Sequence, residues 1–414
     1  FRANTASEGE ELWKSDGTPE GTQLVKDINP GKPSAYPNNL IVFDNMLFFT
    51  ADNGSDGNEV WATDGGELMT SLRFDINPSG SSYSSIFTVG NTNLFFTAFD
   101  GTNRGLYRIY YSGRTYRLEK LKSFEEHLFS LAFVNNMLLF NVNDGVHNYE
   151  LWMSDGSVEG TKMLSDINQG TSDSYIDYFT IIGKEAFFFN DNQLWKTNGT
   201  EVGTKHLKAF NSSSEMIKYG KSVVFVASDT EHGSELWVSD GTTSGTQLLK
   251  DINPGPSDSY INELIEYKEQ IYFSAYNPTY GIELWCTDGT PAGTIMVKDI
   301  YEGTGFGDPH NFYVFNNTLF FSATNDKGAE LWKSDGTATG TVMVKDIRPG
   351  NESSNPQKFT KVGNALFFTI ETNDNVYEIW KTDGTENGTR LVKDISSNNV
   401  NYLCQIQRSS CVLC

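Results

Sequence analysis

The chain of 414 residues carries 53 Asp and Glu against 31 Lys and Arg, a formal net charge of -22; that balance repels phosphate backbones and anionic membranes and excludes nucleic acid as a partner. Aromatic residues reach 13% and glycines number 38, a mix that suits an all-β protein with many tight turns rather than a helical bundle. No run of 18 apolar residues occurs, so no transmembrane helix is expected, and no charged-then-apolar leader opens the sequence.

Self-similarity organises the chain. The phrase E-L-W-x-S/T-D-G-T-x-x-G-T-x-L-V-K-D-I stands almost intact at 11-28, 235-252, 283-300, 330-347 and 378-395, with degraded copies between. Its tryptophans fall at 13, 61, 152, 195, 237, 285, 332 and 380, and Tyr107 fills the vacant slot, so nine marks recur 42 to 48 residues apart.

Each period holds four strand signals. In the stretch 40-76, Leu40-Phe43 leads to the turn pair Asp44-Asn45 and then to the apolar run Met46-Ala51. The same turn position reads Gly363-Asn364, Asn316-Asn317 and Gly220-Lys221 elsewhere, residue types that tolerate the positive φ of two-residue hairpins. Glu59-Thr63, an Asp-Gly turn and Leu72-Ile76 complete the period. Four short strands joined by hairpins make a propeller blade, and the LFF-type strand is apolar on both faces because blades pack face to face.

The motif resembles the ELWxxDGT repeat family, repeats of secreted or surface-attached bacterial proteins, over essentially the whole chain. The resemblance implies a β-propeller-like repeat and an extracellular or cell-surface location, and it lends no catalytic residues because the family has no generally assigned activity.

Ring closure is expected from the ends. Phe1-Arg2-Ala3 aligns with Phe49-Thr50-Ala51, while Leu403-Ile406, the turn Gln407-Arg408 and Ser409-Cys414 align with the first two strands of a blade. Residues 1-28 and 396-414 would then share one composite blade, giving a single propeller domain over 1-414 with nine blades; eight, with the Tyr107 repeat collapsed, is the alternative. A two-residue turn at Gln407-Arg408 sets Cys404 opposite Cys411, at the separation a disulfide requires. Cys286 and Cys414 are left free or available to a partner chain. Six sequons, at Asn53, Asn198, Asn211, Asn316, Asn351 and Asn387, could accept glycans in a secreted eukaryotic protein, although several are expected by chance in a chain this rich in Asn, Ser and Thr.

Recurrence assigns most polar residues to structure. Asp16, Asp64, Asp155, Asp240, Asp288, Asp335 and Asp383 occupy the same turn, where an Asx side chain bonds the backbone two residues on. Folding about that turn places Glu11 opposite Lys26, Glu235 opposite Lys250, Glu283 opposite Lys298, Glu330 opposite Lys345 and Glu378 opposite Lys393, as cross-strand pairs. The repeated Trp is expected to pack between blades, with a sugar-stacking platform as the other reading. No GxSxG elbow, P-loop or HExxH spacing occurs among the residues, His127, His147, His206, His232 and His310 included.

Three sets of residues remain as candidates. The loop 52-59 carries Asp52, Asp56 and Glu59, read either as a calcium site of hard oxygen ligands or as a solvated acidic loop; no cofactor is required. The Tyr107 repeat concentrates Arg104, Arg108, Arg114 and Arg117 with Tyr107 and Tyr110, the residue types that binding hot spots favour. Tyr36, Tyr83, Tyr175 and Tyr260 recur after the DINPG-like segments, on the face expected to carry ligands together with the loops before ELW.

The leading functional expectation is a non-catalytic extracellular scaffold that binds proteins, adheres to a surface or assembles into fibres. A lectin-like glycan-binding propeller is the alternative, and a polysaccharide hydrolase or lyase stands third.

Overall fold

The computed structural model describes residues 1–14, 20–168, 173–176, 179–371, 377–395, 403–406 and 410–413. Among them there is no helix, and so none long and apolar enough to cross a membrane. Among the described residues, eight four-stranded antiparallel sheets follow one another, at 38–74, 85–124, 129–165, 180–209, 212–250, 262–298, 310–345 and 357–395. A three-stranded sheet precedes them (Arg2–Thr5, Gly9–Lys14, Gln23–Lys26), and a two-stranded hairpin, Leu403–Ile406 with Ser410–Leu413, follows. The chain divides into two compact units, Phe1–His206 and Leu207–Cys414, the boundary falling inside the strand Lys205–Ala209.

The strands lie where the residue pattern places them. Asn38–Phe43, Met46–Asp52, Asn58–Thr63 and Ser71–Phe74 form one sheet in chain order. Its first turn has Asp44 at φ 48° and Asn45 at φ 61°, the left-handed pair that matches strand twist. Neighbouring side chains of the second strand serve opposite faces, as the period of two requires. Phe49 joins Leu12 and Val25 of the preceding sheet and Ile28 just beyond it, whereas Phe48 joins Leu94, Phe96 and Tyr107 of the next.

In the first unit the initial strands Asn38–Phe43, Ser85–Gly90 and Phe129–Val134 lie side by side. The second unit repeats this with Ser212–Tyr219, Asn262–Tyr267, His310–Phe315, Gln357–Val362 and Leu403–Ile406. Sheets that pack face to face with their first strands together are propeller blades.

The motif can be read residue by residue in the repeat 235–252. Trp237 and its equivalents Trp61, Trp152, Trp285 and Trp332 are only 3–5% exposed. Trp285 packs against Val224, Val226 and Leu236 of the sheet before it. That burial answers the choice between blade packing and a sugar platform in favour of packing at these five positions. Asp240 Oδ1 accepts from Thr242 N at 2.8 Å and from Thr242 Oγ1 at 2.7 Å, the expected Asx turn. The same pattern recurs at Asp155, Asp288, Asp335 and Asp383, and Asp64 bonds Gly66 N; Asp16 lies outside the described residues. Gly245 is required because a Cβ there would overlap the Asp240 carboxylate. Behind the turn, Ser239 and Thr246 pair their buried hydroxyls at 2.7 Å.

Two registers differ from expectation. A bulge between Leu236 and Trp237 places Leu236, not Glu235, opposite Lys250, and the same shift recurs at Leu12/Lys26, Leu284/Lys298, Leu331/Lys345 and Ile379/Lys393. Each extra residue slips the partner by one beyond the turn, so the expected Glu–Lys pairs do not form. The C-terminal hairpin carries a three-residue connection, 407–409, which sets Cys404 opposite Val412 and Gln405 opposite Cys411. The expected opposition of Cys404 and Cys411 is thereby displaced by one residue. Cys414 lies outside the described residues, and Cys286 is a free, buried thiol.

Candidate functional site

The repeated glutamate, released from its lysine, holds the loop that leads to the next blade. Glu11 is fully buried and accepts from Ile28 N at 2.9 Å, Asn29 N at 3.2 Å and Ala35 N at 3.2 Å. Glu283 receives Ile300 N, Tyr301 N and Gly307 N. Glu235 receives Ile252 N, Asn253 N and the Ser259 hydroxyl. Burial pushes the Glu235 and Glu283 carboxyls up to about 7, against the opposing pull of these donors. The lysines reach the neighbouring sheet: Lys26, Lys250 and Lys345 donate to the carbonyls of Thr70, Thr294 and Thr389 at 2.9–3.0 Å.

That clamp positions the recurring tyrosines. Tyr36, Tyr83, Tyr175 and Tyr260 are 58–66% exposed. Tyr36, Tyr83 and Tyr260 have φ of 50°, 49° and 48°, a left-handed conformation unusual for a bulky residue. At the same place other repeats carry Asp308 and Asn355, which tolerate it readily. Ala35 N and Tyr36 N both donate to Glu10 O, and Ser259 N donates to Ser234 O, which holds the strained residues in place.

The arginine-rich repeat does not form one patch. Its third and fourth strands, Arg104–Ser112 and Thr115–Phe124, are nine and ten residues long, which puts Arg104 and Arg114 at opposite ends, roughly 30 Å apart along the strand. Tyr107 is buried in the tryptophan position, stacked on Phe96. Arg108 pairs with Glu119 through Nε at 2.9 Å and Nη2 at 2.6 Å, and it lies 4.5 Å over the Tyr110 ring. Arg104 covers Phe99. Of the expected binding residues in this repeat, Arg114 stands at an exposed hairpin tip beside a cavity.

That cavity, of about 470 Å³, joins residues the motif reading did not single out: Leu68, Met69, Arg73, Tyr111 and Tyr116, together with Asp44 and Arg114. Leu68 is 96% exposed, and Met69 and Tyr111 are over half exposed. The Arg73 guanidinium lies 5.3 Å over Tyr116, whose hydroxyl donates to Asp44 Oδ2 at 3.2 Å. The signal was present in the sequence as a departure from the repeat. Where other copies place a glycine before the second threonine of the turn, this one has Met69, preceded by Leu68, and Arg73 replaces the valine of L-V-K.

The acidic loop 52–59 closes on itself. Asp52 Oδ1 accepts from Gly54 N, Asp56 Oδ2 from Asn53 Nδ2, and the buried Glu59 turns away to Ile76 N. Asp52, Asp56 and Glu59 therefore do not converge as calcium ligands. Among the described residues no group of three His, Cys, Asp or Glu is placed to hold a metal. His147 and His232 each bond an aspartate three residues earlier, Asp144 and Asp229, in equivalent loops.

No protein-family model matches the chain, and no characterised protein matches it in sequence. Solved structures similar to it include a prolyl endopeptidase (11% identity, TM-score 0.39, 76% of this chain and 50% of that one). A puromycin-hydrolyzing peptidase of Mycobacterium tuberculosis (9%, TM-score 0.36, 75% and 52%) and oligopeptidase B of Leishmania major (10%, TM-score 0.38, 76% and 49%) are also similar. The chain spans about half the length of these structures.

Proposed function

We propose that the chain is a non-catalytic extracellular scaffold that binds another protein through the Leu68–Tyr111–Arg114 cavity. The observation that carries the reading is an apolar and aromatic surface flanked by Arg73 and Arg114 on a chain of net charge -22. Exposed Leu, Met and Tyr beside Arg supply contact area and oriented donors. The extracellular setting rests on the resemblance to ELWxxDGT repeats. The absence of catalysis rests on recurrence: the turn aspartates Asp155, Asp240, Asp288, Asp335 and Asp383, the glutamates Glu11, Glu235, Glu283 and Glu330, and Lys26, Lys250 and Lys345 each have a structural partner of their own.

The ring belongs to the same proposal: nine blades closed by the two ends. The shifted hairpin register supports it. Ile406 pairs Ser410 as Phe43 pairs Met46, so Ser410–Leu413 take the places of residues 46–49. Arg2 pairs Leu12 as Thr50 pairs Val60, so Arg2–Thr5 resume that strand from residue 50.

A photo-crosslinking residue at Leu68, compared with one at Val202, which is also highly exposed, tests the binding reading on the producing cells. A single protein adduct at Leu68, absent at Val202 and lost on Arg114→Glu, supports it. Equal labelling at both positions, or none at Leu68, removes it.

A further inference from the structure

We infer that Phe129, Tyr149 and Tyr175 form a shelf for a neutral β-linked gluco-oligosaccharide, with Glu126 and Asp173 accepting its hydroxyls. The site is separate from the Leu68 cavity and does not rest on the protein-binding reading.

The three rings form a continuous surface. Phe129 and Tyr149 have centroids 5.6 Å apart, and Tyr149 and Tyr175 6.1 Å apart at 29°. Phe129 and Tyr175 are 50% and 58% exposed. Both phenols are fixed at their rims by carboxylates: Tyr149 OH donates to Glu126 Oε2 at 2.7 Å, and Tyr175 OH to Asp173 Oδ2 at 2.8 Å. Asp173 is itself anchored by Tyr149 N at 3.1 Å, and Glu126 is exposed.

The shelf is not a by-product of the repeat. Strand register places Asn38, Ser85, Asn262, His310 and Gln357 where this blade has Phe129. Residues Asn58, Ser234, Ile282 and Ala329 precede the E-L-W position that Tyr149 precedes here, and Tyr377 repeats the tyrosine before Glu378. Phe129, which those sheets lack, and Tyr149, which among them recurs only as Tyr377, thus meet at one recurring tyrosine.

The chemistry selects a sugar. An apolar protein anchor docked on the rings would bury two carboxylates with no donors beyond the tyrosine groups they already hold, which is unfavourable for an ionised group taken out of water. A pyranose with equatorial hydroxyls offers flat C–H faces to the rings and O–H donors at its edge to the acids. The same acids, in a chain of net charge -22, repel uronates and sulfated sugars.

The test is calorimetric titration of the full chain with cellohexaose and, separately, with polygalacturonate. Binding of cellohexaose alone is expected. Phe129→Ala and Tyr175→Ala should each weaken it about tenfold, the equivalent of one lost ring contact, with melting temperature and Leu68 crosslinking unchanged. Tyr260→Ala, on another blade, should leave affinity as it is. No binding of cellohexaose at millimolar concentration, a preference for polygalacturonate, or affinity untouched by both shelf variants would overturn the inference.

Discussion

Ser174 Oγ donates to Glu150 Oε1 at 2.8 Å, and the residue that follows Ser174 is the exposed Tyr175. Glu150 is fully buried, one residue before the start of the tryptophan pair, and its other oxygen accepts from Ile167 N at 2.7 Å. One carboxylate thus connects the blade core to the loop that presents an aromatic ring. Ser259 and Glu235 repeat the relationship ahead of Tyr260. Ser174→Ala leaves a buried carboxylate short of a donor and should cost about 1–3 kcal/mol in chemical denaturation. A change below 0.5 kcal/mol would show that the clamp does not hold this loop.

Stability should fall as the pH rises through neutrality. Burial lifts Glu235 and Glu283 from 4.5 to about 7, so the folded protein holds these protons more tightly than the unfolded chain. Their contribution is whole below about pH 4.5 and is lost as the pH passes 7, on the order of 3 kcal/mol per group. Asp100, held down at about 2 by Asn103 N and Lys120, acts in the opposite sense, but only below pH 3.8. His147 and His232, raised by their aspartate partners, add to the same fall. The double variant Glu235→Gln, Glu283→Gln should therefore narrow the difference in unfolding free energy between pH 5 and pH 8; an unchanged difference would clear these carboxyls.

Lys250 and Glu235 should prove energetically independent. The lysine donates to Thr294 O of the next sheet while the glutamate faces backbone amides. A double-mutant cycle to alanine should return a coupling within about 0.5 kcal/mol of zero. Lys250→Ala alone should cost about 1 kcal/mol, with little salt dependence, because its acceptor is a carbonyl. A coupling near 1 kcal/mol that fades with salt would restore the cross-strand ion pair.

Blade content, strand order, the hairpin turns and the Asx turns were legible because each depends on residues a few positions apart and is written many times over. The Glu–Lys pairing failed for a local reason: the bulge at Leu236/Trp237 inserts one residue, and period-two counting has no way to see it. The disulfide register failed similarly, at a three-residue connection read as two. Candidate sites were less legible. Tyr107 was a binding candidate because its repeat gathers Arg and Tyr, yet it is buried in the core at the tryptophan's place, which its slot in the repeat already indicated. Leu68, Tyr111 and Tyr116 belong to different sheets or strands, and only packing brings them to one cavity.

Two of the four arginines first grouped together, Arg108 and Arg114, should separate in experiment. Arg108 forms a two-point contact with Glu119, lies over Tyr110 and approaches the turn at Gly156, and its charge helps hold Asp155 low. Reversal to glutamate would set three carboxylates together at a junction between sheets and leave the Tyr110 ring uncovered. Arg108→Glu should then cost about 1–2 kcal/mol, not the near-zero effect expected of a free surface residue. Arg114, exposed at the tip between Ser112 and Thr115, should tolerate reversal within about 0.5 kcal/mol while losing the Leu68 crosslink. Equal stability losses for the two variants would mean that the hairpin tip is as structural as its stem, and the cavity would then have no claim as a binding surface.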